Sequence, residues 1–214
     1  MLPFGRPAAF YLIPSTPETV TYDAGLSPRH TLNVHDVDGE GREWRVQCSV
    51  AKVSIYNAKN LTLYLPGRIV TSTIEVFNSE DINLVIGPSS SPASPDDLSP
   101  LGVLQLDPSL RNVSVLYTQP EAVGKVVIAP LPSLGANSRP TFGFSSLTLR
   151  AGSGEAFPVF DGEGNLQSPE AEEPPTSPAH PTDDLARQLV VSLENGSWRL
   201  KGLTRGEKDY PQLS

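Results

Sequence analysis

Two stretches of the chain, residues 53–65 and 74–86, repeat one pattern of apolar and polar residues at a fixed offset of 21. The aligned pairs are Val53 and Ile74, Ile55 and Val76, Tyr56 and Phe77, Asn57 and Asn78, Leu61 and Ile82, Leu63 and Leu84, and Leu65 and Ile86. A looser third copy spans 104–115, where Asn112 takes the place of Asn60. A fixed period of about this length predicts stacked repeats, because each repeat buries its apolar face against the next.

Each copy consists of two short runs of alternating apolar and polar residues, separated by a polar corner. Alternation with a period of two predicts strands that bury one face. Asparagine suits the corner, because its side chain bonds nearby backbone and it tolerates a left-handed φ. Two strands per repeat predict an all-β protein built as a parallel β-helix, also called a β-solenoid. An antiparallel β-sandwich made of similar hairpins is the alternative fold.

Composition divides the chain into four parts. Residues 1–43 are predicted to be an N-terminal extension with short strands and turns, and 44–150 the β-solenoid domain. Residues 151–185 contain eight acids and no Lys or Arg, and their Pro-rich, apolar-poor composition predicts a disordered linker. Residues 186–214 carry two apolar runs around Asn195-Gly196, which predict a hairpin that either docks on the domain or contacts a partner. A frayed terminus that happens to contain Asn-Gly is the other interpretation.

Two shorter segments lie outside the copies of the repeat, one between the second and third copies and one after the third. The Ser- and Pro-rich segment 88–100 is predicted to be a solvated loop between the second and third copies. The alternating run 142–149 is expected to close or cap the stack.

The net charge and the number of cysteines limit which cellular compartments and which classes of partner are expected. The net charge is -8, and outside 151–185 acids and bases balance at 16 each, so no basic stripe points to nucleic acid. The single cysteine, Cys48, excludes an intrachain disulfide and fits a reducing compartment. No apolar run reaches the length of a membrane span, and the first residues do not resemble a signal peptide. A cytoplasmic protein without membrane contacts is expected.

Residues 44–131 resemble the C-terminal β-helix domain of cyclase-associated proteins, the CARP-type domain also found in tubulin-folding cofactor C. The matching strings are Trp44-Arg-Val, residues 53–68, residues 74–82 and residues 125–131. The resemblance implies a right-handed β-helix that binds other proteins, with monomeric actin as the expected partner. Cofactor C relatives use an arginine after a Gln-Leu pair to stimulate a GTPase. Here Asp107 follows Gln105-Leu106, so that role is not carried over.

The sequence offers no convincing catalytic or metal site. The string 35–43, with alternating acids before glycine, resembles a calcium loop, but Gln47 stands where the closing glutamate of an EF-hand belongs. Asp-Gly and Glu-Gly pairs more simply form turns. His30 and His35 lack a third ligand and are interpreted as solvated loop residues. We therefore predict no catalytic, cofactor-binding or metal-binding residues, and no cofactor.

The predicted function is a protein-binding module that acts as an actin-related or cytoskeletal adaptor. The partner-binding residues are expected at exposed corners, and they are Lys59, Arg68, Glu80 and Asp81. A homodimer formed through an end repeat of the stack is a second expected partnership. The alternative function is a small-molecule enzyme of cyclase, isomerase or hydrolase type, with a pocket formed by the β-domain and its flanking N- and C-terminal segments.

Overall fold

The computed structural model describes residues 9–11, 19–22, 28–46, 48–66, 68–88, 101–130, 142–167 and 188–203. In these ranges the chain forms β-strands and one short 3-10 helix, Pro120–Ala122. The strands are β1 (Ala9–Tyr11), β2 (Thr19–Tyr22), β3 (Thr31–His35), β4 (Glu43–Val46), β5 (Lys52–Tyr56), β6 (Lys59–Leu65), β7 (Thr73–Phe77), β8 (Glu80–Ile86), β9 (Val103–Leu106), β10 (Leu110–Tyr117), β11 (Lys125–Ile128), β12 (Phe144–Ala151), β13 (Phe157–Phe160), β14 (Gln188–Glu194) and β15 (Ser197–Leu203). In the described part of the chain, no helix has the length and apolar character needed to cross a membrane.

Consecutive strands from β1 to β12 alternate between two sheets. The first sheet has the order β1-β3-β5-β7-β9-β11-β14-β15, and the second has the order β13-β12-β10-β8-β6-β4-β2. Each strand from β1 to β10 pairs in parallel with the strand two positions later, because the chain crosses to the opposite sheet and returns before it forms the next neighbour. We call one strand of the first sheet and the following strand of the second sheet a layer.

The register of the sheets matches the offset of 21 in the sequence. Val53 is the Cα partner of Ile74, and Leu61 is the Cα partner of Ile82. In the next layer Val113 continues the column of Ile82. The antiparallel β-sandwich, the alternative fold, is wrong for this chain because the copies pair in parallel. The antiparallel pairings join β11 to β14, β14 to β15 and β12 to β13.

The core lies between the two sheets and is built from columns of residues that face inward. One column of the first sheet is Leu32, Val53, Ile74, Leu104 and Val126, each fully buried. On the second sheet the column of Trp44, Leu63, Leu84, Val115 and Leu149 is also buried, and both columns belong to one apolar cluster. Neighbouring strands lie about 4.8 Å apart, so each inward residue packs directly on its counterpart in the next layer.

The N-terminal extension continues the same two sheets. β3 pairs with β5 at an offset of 21, with Thr31 opposite Lys52. In the corner that follows, five positions separate Asp38 from Glu43, whereas three separate their partners Lys59 and Thr62. This two-residue insertion moves β4 out of the sequence repeat, which is why the copy was not recognised from the sequence.

The predicted disordered linker, 151–185, is wrong for its first part. Phe157–Phe160 form β13, in which Val159 and Phe160 are buried. Asp161 then closes a turn by accepting hydrogen bonds from the backbone N–H groups of Glu163 (2.9 Å) and Asn165 (2.8 Å). A composition averaged over the whole acidic segment hid this short apolar run. Residues 168–187 lie outside the described residues, as does most of the predicted loop 88–100.

The C-terminal hairpin docks on the rest of the protein. β14 pairs antiparallel with β11, and β14 and β15 are joined by Asn195 and Gly196, both at positive φ (52° and 78°). That backbone is the tight hairpin turn for which Asn-Gly is preferred. The Trp198 ring stacks on Phe157 with 5.9 Å between ring centroids. The run 142–149 forms most of β12, which is a regular member of the second sheet between β10 and β13 and does not end it.

Replacing the fully buried Leu84 with Ala should lower the free energy of unfolding by about 2–5 kcal/mol, since it leaves a cavity between packed layers. Leu166, which is 39% exposed, is the matched control. Leu166→Ala should change the free energy of unfolding by about 0.5 kcal/mol or less. Urea unfolding followed by circular dichroism measures both. Equal losses for the two variants would contradict the assigned core.

Candidate functional site: the charged corner

The corner where the chain passes from the first sheet to the second has a left-handed backbone in successive layers. Asp36, Asn57 and Asn78 have φ values of 55°, 52° and 47°. After them, Asn60, Asp81 and Asn112 have φ values of 49°, 54° and 50°. Asn and Asp adopt this conformation more easily than other residues that carry a Cβ, so these corners require them.

Polar corner side chains bond to one another between layers. Asn57 Nδ2 donates to Asp36 Oδ1 at 2.6 Å, and Asn78 Nδ2 donates to Asn57 Oδ1 at 3.5 Å. On the other side of the corner, Asn112 Nδ2 donates to Asp81 Oδ1 at 2.5 Å. These bonds within the protein use part of the hydrogen-bonding capacity of each amide.

Between the two polar ladders runs a line of charged residues, which we call the charged column. Lys59, Glu80 and Arg111 are register partners on adjacent strands, and Asp38, in the corner before β4, forms an isolated bridge with Lys59. Their charges therefore alternate in sign from layer to layer. Asp38, Lys59 and Arg111 are exposed, and Glu80 is half-buried. Opposite charges on adjacent strands attract, so the column also supports the register of the stack.

Asp38 is held in its charged form by its surroundings. It accepts a hydrogen bond from the backbone N–H of Glu40 at 2.9 Å and one from Asn60 Nδ2 at 3.1 Å. These two bonds, in that order, and the nearby Lys59 charge lower the pKa of the Asp38 carboxyl. In the string 35–43, which resembles a calcium loop, the second acid, Asp38, is thus bonded to the backbone of its own turn.

The structure brings three of the four predicted binding residues together. Lys59, Glu80 and Asp81 share the corner, whereas Arg68 lies in the connection from β6 to β7, at the opposite end of these strands. Asp81 is exposed to solvent, and its Oδ1 accepts a hydrogen bond from Asn112 Nδ2. Sequence reasoning missed Asp38, because of the two-residue insertion after it. It also missed Arg111, although aligning Asn112 with Asn60 already places Arg111 beside Lys59.

One of the two histidines that the sequence singled out, His35, contacts side chains of β5. The His35 ring packs edge-on against Tyr56, with 5.8 Å between centroids, and its Nε2 lies 3.4 Å from Ser54 Oγ. Among the described residues, no three His, Cys, Asp or Glu side chains are grouped so that they could hold a metal ion.

A cleft of about 670 Å³ lies where the turn between β12 and β13 meets the C-terminal hairpin. Its walls include Thr118, Phe157 and Trp198, and among the described residues that line it Glu155 alone has an ionisable side chain. Acid–base catalysis by side chains commonly needs a proton donor and a proton acceptor within reach of the substrate. The cleft offers one such group, and that group is exposed.

No family model matches the chain, and no similar protein was found among curated proteins or solved structures.

Lys59→Glu should lower the midpoint of urea unfolding, because it places three acids in succession along the charged column. The loss should shrink in about 1 M salt, where charges are screened within about 3 Å. Lys125→Glu is the matched control, because exposed Lys125 has the uncharged Val103 as its strand partner. A salt-independent loss for Lys59→Glu would contradict the electrostatic role of the column.

Proposed function

We propose that the chain is a right-handed parallel β-helix that serves as a protein-binding module of the cytoskeletal adaptor type. The alternation of strands between two sheets and the parallel register support the β-helix. In such a stack each layer is a rigid support for side chains at its corners. The cytoplasmic location that the sequence predicts is part of this proposal.

The charged column is the observation that carries the proposed function. It sets four charges in a fixed order of sign along a line of about 14 Å, since neighbouring strands lie about 4.8 Å apart. A surface of this kind selects a partner with the complementary order and penalises one with like charges opposite. A uniform polyanion such as nucleic acid lacks the alternation, so the column suits a protein surface better.

Monomeric actin is the partner we propose, because the sequence resembles the actin-binding domain of cyclase-associated proteins. The enzyme alternative is less well supported. Its pocket corresponds to the cleft beside the C-terminal hairpin, where the lining that the structure describes holds no second ionisable group to pair with Glu155.

The test is binding of the full chain to monomeric actin, measured by analytical ultracentrifugation and by the rate of nucleotide exchange on actin. We expect a complex, and we expect Arg111→Glu to weaken it about tenfold or more, as reversal of a charge within an interface does. Arg68→Glu is the matched control, because Arg68 is an exposed arginine at the opposite end of the strands.

Two results would count against this proposal in different ways. Equal weakening by Arg68→Glu and Arg111→Glu would contradict the charged column as the binding site. Absence of a complex with the unchanged chain would remove actin as the partner.

A homodimer through the end of the stack is the second partnership that we propose. Among the described strands, β15 is the last of the first sheet and pairs on one side only, with β14. An unpaired strand edge is a ready template for another strand. Sedimentation velocity over a range of concentrations should show a species of twice the monomer mass. A single monomeric species at every concentration would contradict the dimer.

A further inference from the structure

The outward face of the second sheet carries a row of residues with arginine at both ends and apolar groups between them. Arg45, Tyr64, Val85, Leu116 and Arg150 are successive register partners on β4, β6, β8, β10 and β12. We call this row the arginine-flanked strip. A groove of about 430 Å³ opens above it.

One end of the strip is held rigid by a network of three side chains. The Arg45 guanidinium lies 4.0 Å from the centroid of the Tyr64 ring, and its Nη2 donates to Glu43 Oε2 at 2.9 Å. Tyr64 Oη donates to Glu43 Oε1 at 3.0 Å. Arg45 and then Tyr64, through these bonds, lower the pKa of the Glu43 carboxyl. The charge of Arg45 is therefore balanced, and the Tyr64 ring is fixed in place.

The other end of the strip carries an unbalanced positive charge. Arg150 is exposed, and within the described ranges it forms no ion pair. Leu116, its partner on β10, is half-buried, so apolar surface adjoins the guanidinium. Arginine and tyrosine beside apolar residues are the residue types most often found at the centres of protein interfaces.

The spacing of the strip fits a helix better than an extended strand. Neighbouring strands lie about 4.8 Å apart, so Tyr64 and Leu116 are separated by about 10 Å and Arg150 lies about 5 Å further on. Residues on one face of a helix recur at i+3 or i+4, about 4.5–6 Å along its axis, and at i+7, about 10.5 Å along it. Residues on one face of a strand recur about every 6.6–6.8 Å. After one step they no longer match the spacing of about 4.8 Å between neighbouring residues of the strip.

We propose that the arginine-flanked strip is the docking site for an amphipathic helix of a protein partner. The helix presents apolar residues at i, i+3 or i+4, and i+7, which contact Tyr64, the small exposed part of the mostly buried Val85, and Leu116. It presents a carboxylate at i+11, which lies on the same face and meets Arg150. Charge complementarity at Arg150 sets the direction of the helix on the strip. This inference rests on the proposed protein-binding function and assigns it a second surface.

The probe is a synthetic helical peptide with leucine at i, i+4 and i+7 and glutamate at i+11, labelled at one terminus. Its matched control has lysine at i+11 and is otherwise identical. Fluorescence anisotropy with the full chain should show about tenfold tighter binding of the glutamate peptide, a typical gain for a charge-assisted contact. Arg150→Glu should reverse this preference, and Lys125→Glu, a charge reversal at an exposed residue of the first sheet, should leave it unchanged.

Equal affinity of the two peptides, or binding of neither, would overturn the helix-docking inference. If the Arg150→Glu variant still prefers the glutamate peptide, the helix-docking inference is also overturned, because a residue other than Arg150 would then contact the peptide's carboxylate. These outcomes are separate from the actin experiment. If the peptides are discriminated while actin does not bind, the strip stands and the proposed actin partner fails. If Arg111→Glu weakens actin binding while the peptides bind equally, the charged column stands and the strip fails.

Discussion

Parallel stacking of like residues is the interaction on which the rest of this structure depends. An inward residue such as Ile74 is covered by Val53 on one side and Leu104 on the other, so its burial requires both neighbouring layers. No layer can bury its apolar face alone, and the free energy of burial is shared between adjacent layers. Register follows from this requirement, because a shift of one residue along a strand would turn every inward side chain out to solvent.

The corners follow from the stacking. A chain that leaves one sheet and enters the other must turn sharply in each layer, and Asn57 and Asn78 turn it with a left-handed backbone. Since the corners stack at the same spacing as the strands, their side chains form ladders, and polar groups that would otherwise bond water bond each other. The charged residues between the ladders face solvent, which is why the charged column is both part of the architecture and accessible to a partner.

The sequence predicted the register of the central layers because the offset of 21 is uninterrupted between β5 and β8. It could not predict the first layers as members of the same sheets, because the insertion after Asp38 breaks the offset, although the backbone hydrogen bond from Gly39 N to Lys59 O preserves the stack. Local geometry around Asn195-Gly196 predicted a hairpin but not its position, since docking on β11 depends on contacts far away in sequence.

The candidate site was predictable to a similar degree. Lys59, Glu80 and Asp81 follow from the repeat, because equivalent positions of a repeat must stack. Arg68 does not join them, because it follows the second strand of its layer and therefore lies at the other end. The arginine-flanked strip was not seen in the sequence, because its residues come from five strands at unequal spacings and meet only when those strands pair.

The charged column and the arginine-flanked strip lie on the same strands, and this placement limits how a partner can use them. Lys59 and Tyr64, Glu80 and Val85, and Arg111 and Leu116 are each five residues apart in the chain, with the left-handed corner between them. The two rows are therefore at most about 17 Å apart. A standard protein interface covers about 800 Å² on each partner, which spans this distance. One partner is therefore large enough to contact both rows at once. β6, β8 and β10, which carry both rows, are each hydrogen-bonded to a strand on either side. The two rows therefore keep a fixed position relative to each other. A partner bound at the charged column has the arginine-flanked strip at a constant distance.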